Sequence, residues 1–256
     1  MGLGHYSLKG GFYMNKITLA ALVSIISFAA SARSVSLSYE DDHPVFPVGI
    51  ALASPLQVPF SNYNIYGLRL NALYAESFET IGLDAGLVGY NRDKLIGLQT
   101  QGAVAWVDGN MTGLQMGGIA NVVCGNAAGL QLGGIVNYTR GDFAGMQISA
   151  INHNGTFYGF QVGGFNYDKG ICWGLQVGVA NSDINEYRGW SVGAVNYAER
   201  LNGFQLGGVN ILAGSGRGVQ LGVFNAAAKF SGIQIGVLNI IENGELPIMP
   251  VLNAQF

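Results

Sequence analysis

The sequence predicts an all-β protein built from one repeated strand unit, and three observations predict it. A phrase of the form glycine–apolar–glutamine–apolar–glycine–x–apolar–asparagine recurs twelve times between Tyr66 and Asn239. Apolar residues alternate with small or polar ones inside it, the period-two pattern of a strand with two unlike faces. Charge is kept out of it: only Arg69 and Asp84 lie inside a phrase, both at the glutamine position.

Taken in order, the chain opens on a segment with the features of an export signal. Met14, Asn15 and Lys16 form a charged start, Ile17 to Ala30 is an apolar run, and Ala30-Ser31-Ala32 fits the small-x-small cleavage pattern. The run falls short of the ~20 residues a spanning helix needs, so cleavage is expected rather than an anchor. Residues 1–32 are therefore read as an N-terminal extension plus a cleavable signal, and 33–44 as an acidic lead-in. Glu40, Asp41 and Asp42 ahead of His43 lack the spacing of a calcium loop and are expected to be solvated.

Residues 45–256 are read as a single β-repeat domain. Val48 to Ala53 is the first expected strand, behind Pro44 and Pro47. The twelve phrases follow, with leading glycines at 67, 82, 97, 113, 129, 145, 159, 174, 189, 203, 218 and 232. Even positions are apolar (Leu130 and Leu132, Phe160 and Val162, Ile233 and Ile235), and a helix carrying so much glycine would lose roughly 1 kcal/mol per site. Charged, turn-forming stretches such as Thr139-Arg140-Gly141-Asp142 and Asp168-Lys169-Gly170 separate the copies. Two copies, Gly113 to Asn121 and Gly129 to Asn137, carry one extra residue, which flips all later side chains unless a bulge absorbs it. Pro250 to Phe256 alternates again and makes the count fourteen.

Two architectures use a repeat of about fifteen residues. In an outer-membrane-type β-barrel each repeat is one strand of an antiparallel meander, with apolar residues toward lipid and glycine and glutamine toward the lumen. In a β-solenoid each repeat is one coil, and equivalent residues stack in ladders that suit asparagine and glutamine. The steps of fourteen to sixteen residues show no two-repeat rhythm, and the aromatic residues flanking the phrase share the glutamine face; both favour coils. Hydrophobic balance favours the barrel, because a solenoid that buries its apolar face leaves only glycine and glutamine outside. The expectation is a barrel of ~14 strands, with the solenoid as the alternative.

The phrase also resembles that of a poorly characterised family of bacterial surface repeat proteins with G-L-Q-x-G-x-x-N repeats, known from leptospires and other envelope-bearing bacteria. The resemblance rests on Gly129 to Gly133, Gly232 to Asn239, the opening Tyr66 to Asn71 and the closing Leu246 to Asn253. It implies an outer-membrane or cell-surface location and transfers no catalytic residue.

The residues themselves offer no catalytic constellation, so no enzyme, cofactor or metal site is expected. His43 and His153 stand far apart, and no glycine precedes a Lys-Ser/Thr phosphate-binding signature. Ten basic and fifteen acidic residues after the signal, without a basic cluster, give no support to nucleic-acid binding. Cys124 and Cys172 lie three repeats apart, beyond the ~7 Å reach of a disulfide, and are expected to be free. The positions singled out are Arg69 and Asp84, as a lumenal charged pair that is either structural or a constriction. With them go Gln99, Gln115, Gln131, Gln147, Gln161, Gln176, Gln205, Gln220 and Gln234, as a pore lining or a hydrogen-bonded ladder. Phe256, a terminal aromatic, reads as a barrel-assembly signal. The expected function is a non-enzymatic structural barrel or passive pore; the alternative is an exported solenoid acting as adhesin or scaffold. In the barrel reading the partners are outer-membrane lipid and the barrel-assembly machinery.

Overall fold

The computed structural model describes residues 43–256. The predicted extension, signal and lead-in up to Asp42 lie outside the described residues.

Eleven strands form one sheet system: β1 (Val45–Ala53), β2 (Leu56–Val58), β3 (Asn64–Ser77), β4 (Thr80–Asn91), β5 (Leu95–Val107), β6 (Met111–Gly117), β7 (Ala120–Val123), β8 (Ala127–Gly133), β9 (Val136–Asp168), β10 (Ile171–Ile241) and β11 (Ile248–Gln255). The long runs β9 and β10 pass through several coils without losing extended geometry. Pairing between consecutive repeats is parallel and residue for residue: Gly67 with Gly82, Leu98 with Leu114, Gln161 with Gln176. An antiparallel meander has no such pairing. The chain is a β-solenoid of coils about fifteen residues long, and the barrel expectation is corrected.

The reason lies in which face turns inward. In the coil around Gly174, Gln176, Asn181 and Asp183 are buried, while Trp173, Val179 and Ile184 are exposed. The balance that favoured a barrel assumed that a solenoid would bury its apolar even positions. Strand parity works the other way. Phe143, Phe157 and Tyr187, each two residues before a leading glycine, share the parity of the glutamines and are the largest side chains in the interior. Four inward columns result: the residue two before the glycine, the glutamine, the asparagine, and the residue two after the asparagine.

Side chains of the first and last columns fit each other by size. Small Ala198 and Ala227 sit where the facing column supplies Tyr187, Leu201 and Phe230, all in one buried cluster. The rings of Phe143 and Phe157 stack across adjacent coils, with centroids 5.7 Å apart and planes 2° from parallel. The extra residue in two copies is absorbed at the corner between the strands. Gly118 and Ile119 hydrogen-bond back to Gln101 and Ala103, and Asn121 and Asn137 still reach the interior. The expected outer strands appear as β1, parallel to β3, and β11, which reverses and pairs antiparallel with the last coil.

Every leading glycine has φ between 125° and 155°, a conformation L side chains rarely adopt. From Gly82 onward, a Cβ at this position would sit 1.8–2.2 Å from the carbonyl oxygen of the leading glycine one coil earlier. Gly159→Ala is therefore expected to cost about 3 kcal/mol or more, from backbone strain and the backbone clash together. Gly208→Ala, where the nearest atom is 3.1 Å away, should cost about 1 kcal/mol or less. Urea unfolding of the two variants beside the parent chain checks this; equal losses would remove the glycine column from its structural role.

Candidate functional site

Two amide ladders run through the interior. In the first, each Asn Nδ2 donates to the Oδ1 of the asparagine one coil later, from Asn121 to Asn239 without a break, at 2.7–3.0 Å. From Asn137 to Asn225 the second proton on the same nitrogen goes to a backbone carbonyl of that next coil, as from Asn181 to Val192 at 3.0 Å. In the second ladder the direction reverses: each Gln Nε2 donates to the glutamine one coil earlier, as from Gln115 to Gln99 at 2.9 Å and Gln131 to Gln115 at 2.8 Å. The side-chain dipoles of the two ladders thus oppose each other.

The residues expected in a lumen fill this interior. Arg69 and Asp84 form a buried bidentate pair, Nε to Oδ1 at 2.8 Å and Nη2 to Oδ2 at 2.5 Å. Arg69 also donates to Ser77 Oγ and to the Tyr90 carbonyl. Gln99 donates to Asp84 at 2.8 Å, so the carboxylate, an acceptor only, terminates a ladder whose donors all point toward it. The arginine fork supplies the neutralising charge. Without a barrel lumen this pair has no constriction to form. Phe256 is 94% exposed beyond β11, and the assembly role assigned to it belonged to the barrel.

The glutamine ladder breaks once, where Ser191 replaces glutamine and bonds Asn196 instead. The Oε1 of Gln176 is left buried without a partner. Directly beside it lie Asp168 and Asp183, in consecutive coils, and Cys172. Their ligand-type atoms all fall within 4.8 Å of one another, and all three residues are buried. Asn154 donates to Asp168 at 2.8 Å, and the Gln176 amide reaches Asp168 at 2.6 Å and Asp183 at 3.3 Å. Burial raises the Asp168 carboxyl to about 6, and burial together with the neighbouring Asp168 charge raises Asp183 well above its ordinary value. Burial also raises the Cys172 thiol.

This cluster was missed from the sequence, where Asp168 was read as turn material and Cys172 only as a free cysteine. The available signal was parity, since Asp168 and Asp183 each lie two residues after an asparagine and so point inward with it. Both cysteines are free. His153 is half-buried between the rings of Tyr138 and Tyr167, each centroid 5.0 Å away. His43 sits against Phe78 and the Asn62 carbonyl; neither histidine joins a ligand cluster among the described residues.

The outer surface is the second feature. Apart from the buried Arg69 and Asp84, no charged residue falls within the nine residues starting at any leading glycine. Those nine residues make both outer faces and the corner between them. Their exposed side chains are apolar: Met116, Ile148, Leu206 and Ile235 on one face, Phe165 and Val195 on the other. Solvent-facing charges such as Lys169, Arg188, Arg200 and Lys229 gather at the opposite corner. Trp173 and Trp190, 60% and 63% exposed, flank this boundary, in ring contact with Tyr158 and Phe204. At about 4.8 Å per coil the uncharged surface extends some 58 Å, well beyond an ordinary apolar patch.

Comparison with family profiles, curated proteins and solved structures returns no match.

Removing Arg69 alone leaves Asp84 buried and unpaired, so Arg69→Gln should cost about 3–5 kcal/mol. The double change Arg69→Gln with Asp84→Gln extends the amide ladder by two rungs and should recover most of that loss. A double-mutant cycle by urea unfolding checks it; additive losses would show that the pair is not a unit.

Proposed function

We propose that this chain is an exported, non-enzymatic β-solenoid that serves as an interaction scaffold at the bacterial surface, seated on envelope lipid by its uncharged faces. The observation that supports this most directly is the segregation of charge. Twelve coils present apolar side chains over two faces and one corner, and nearly all solvent-facing charge is confined to the other corner. A water-exposed repeat gains nothing from repeating that pattern twelve times. An apolar environment rewards it.

Two further features fit lipid contact. Within the stack, backbone amides and carbonyls pair from coil to coil, which meets the demand that a hydrocarbon environment leaves no peptide group unsatisfied. Exposed Trp173, Trp190 and Tyr158 stand near the border between the charged corner and the apolar face, where aromatic rings with one polar end suit a membrane interface. The charged corner then projects away from the lipid and is available to other partners. The export-signal features at residues 14–32 and the resemblance to bacterial surface repeat proteins agree with this placement.

Cell fractionation and flotation of the purified chain with phosphatidylethanolamine–phosphatidylglycerol vesicles test the proposal. The parent chain is expected with the envelope fraction and with floating vesicles. Trp173→Glu combined with Trp190→Glu should lower the floated fraction at least fivefold while leaving the far-ultraviolet β spectrum unchanged. Full recovery of the parent chain in the aqueous fraction, folded and vesicle-free, would overturn it.

A further inference from the structure

The interior treats two sets of carboxylates differently. Asp84 is alone and receives an arginine fork. Asp168 and Asp183 face each other across one coil spacing, and among the described residues no lysine or arginine forms an ion pair with either. Two carboxylates in a dry interior need a proton or a cation between them, because their mutual repulsion is only weakly screened there.

The donor count sharpens this. Gln176 Nε2 has two hydrogens and three acceptors within reach: Gln161 Oε1 at 3.0 Å, Asp168 Oδ2 at 2.6 Å and Asp183 Oδ1 at 3.3 Å. On the same amide, Oε1 is buried and has no donor, because Ser191 interrupts the ladder in the next coil. The pocket is thus rich in lone pairs and short of positive charge. Cys172 adds a sulfur that lies within 4.8 Å of both carboxylates.

We propose that Asp168, Cys172 and Asp183, with the Gln176 amide oxygen as a fourth donor, form a buried structural site for a divalent cation of the zinc class. One thiolate and two carboxylate oxygens match the donor types zinc accepts, and a closed four-donor shell is the form of a structural rather than a catalytic site. The cation replaces the thiol proton and any proton shared by the carboxyls, and these are released to solvent as it binds. Gln176 joins by turning its amide about the last side-chain torsion, which brings Oε1 to the place Nε2 occupies and turns its hydrogens into the gap at Ser191; the hydrogen bond it donates to Gln161 Oε1 is given up for the bond to the cation. The site bridges two successive coils, since Asp168 and Cys172 flank one turn and Asp183 follows in the next coil, so the cation acts as a clasp at mid-stack. Because all four side chains are buried, the cation enters during folding.

The test uses the full chain refolded from denaturant with one equivalent of Zn2+, or of Co2+ as a spectroscopic substitute, then passed through a desalting column. The expected result is close to one metal per chain by elemental analysis, a thiolate-to-Co2+ charge-transfer band in the near ultraviolet, and a Tm at least 5 °C above that of chain refolded with a chelator. Cys172→Ser should remove the band and lower retention at least tenfold. Asp183→Asn, which keeps shape and hydrogen-bonding capacity, should also lower retention at least tenfold, and its Tm should no longer respond to metal. Retention below a tenth of an equivalent in a correctly folded parent chain would overturn the proposal, and so would equal retention in the parent and both variants. In the first case the carboxyl pair is held by a proton alone. Vesicle flotation is independent of this result, so either proposal can fail without the other.

Discussion

Everything in this fold depends on keeping successive coils in register at the leading glycine. The positive φ there turns the chain so that the glycine carbonyl of one coil lies against the Cα of the next, with no room for a Cβ. A repeat that slips by one residue at this point exchanges its two faces. The glycine column therefore fixes which residues stack, and the ladders follow from it. Asparagine on asparagine and glutamine on glutamine are favourable only because the same atoms recur at the same height in each coil.

The ladders explain how a polar interior is stable beneath an apolar exterior. A satisfied amide hydrogen bond contributes about 1 kcal/mol net, while an unsatisfied buried amide costs about 1–3 kcal/mol. An unbroken column therefore stabilises, and a broken one penalises both neighbours. The asparagine ladder is unbroken over nine coils. The glutamine ladder has a charged terminus at Arg69 and Asp84 and one interruption at Ser191, and interior charge lies close to these irregular points. Regular coils have amide for amide and no use for a charge. Irregular coils have lone pairs left over, and a guanidinium, a proton or a metal ion has to answer them.

Much of this was legible in the sequence. The repeat, its strand character, its period and the columns of glutamine were all there, because period two and a constant step leave little freedom. The pairing of Arg69 with Asp84 was foreseeable because they occupy the same place in adjacent copies. What misled was the assumption that apolar side chains go inside. Parity alone contained the correction: Phe143, Phe157 and Tyr187 stand with the glutamines, and a coil has to bury its bulkiest residues. Asp168 escaped notice for a related reason. A charged residue beside Lys169 and Gly170 looks like turn chemistry, and only the two-residue interval from Asn166 shows that it points inward. The gathering of Cys172 with Asp168 and Asp183 depends on contacts across a coil, which spacing within one repeat does not express.

The ends of the stack carry a further argument. A solenoid exposes an unpaired strand edge at each end, open to pairing with another chain. All six prolines of the sequence, Pro44, Pro47, Pro55, Pro59, Pro247 and Pro250, lie outside the repeats, in or beside the terminal strands. Proline has no backbone N–H to offer an incoming strand, so it blunts the edges and would disrupt the coils between them. β2 folds antiparallel onto β1, and β11 reverses direction against the final coil. Within β11, Val251 has φ of 67°, which breaks the regular edge next to Pro250. The terminal strands thus end the parallel stack by reversing and by omitting donors, and Phe256 sits at the far end of that cap.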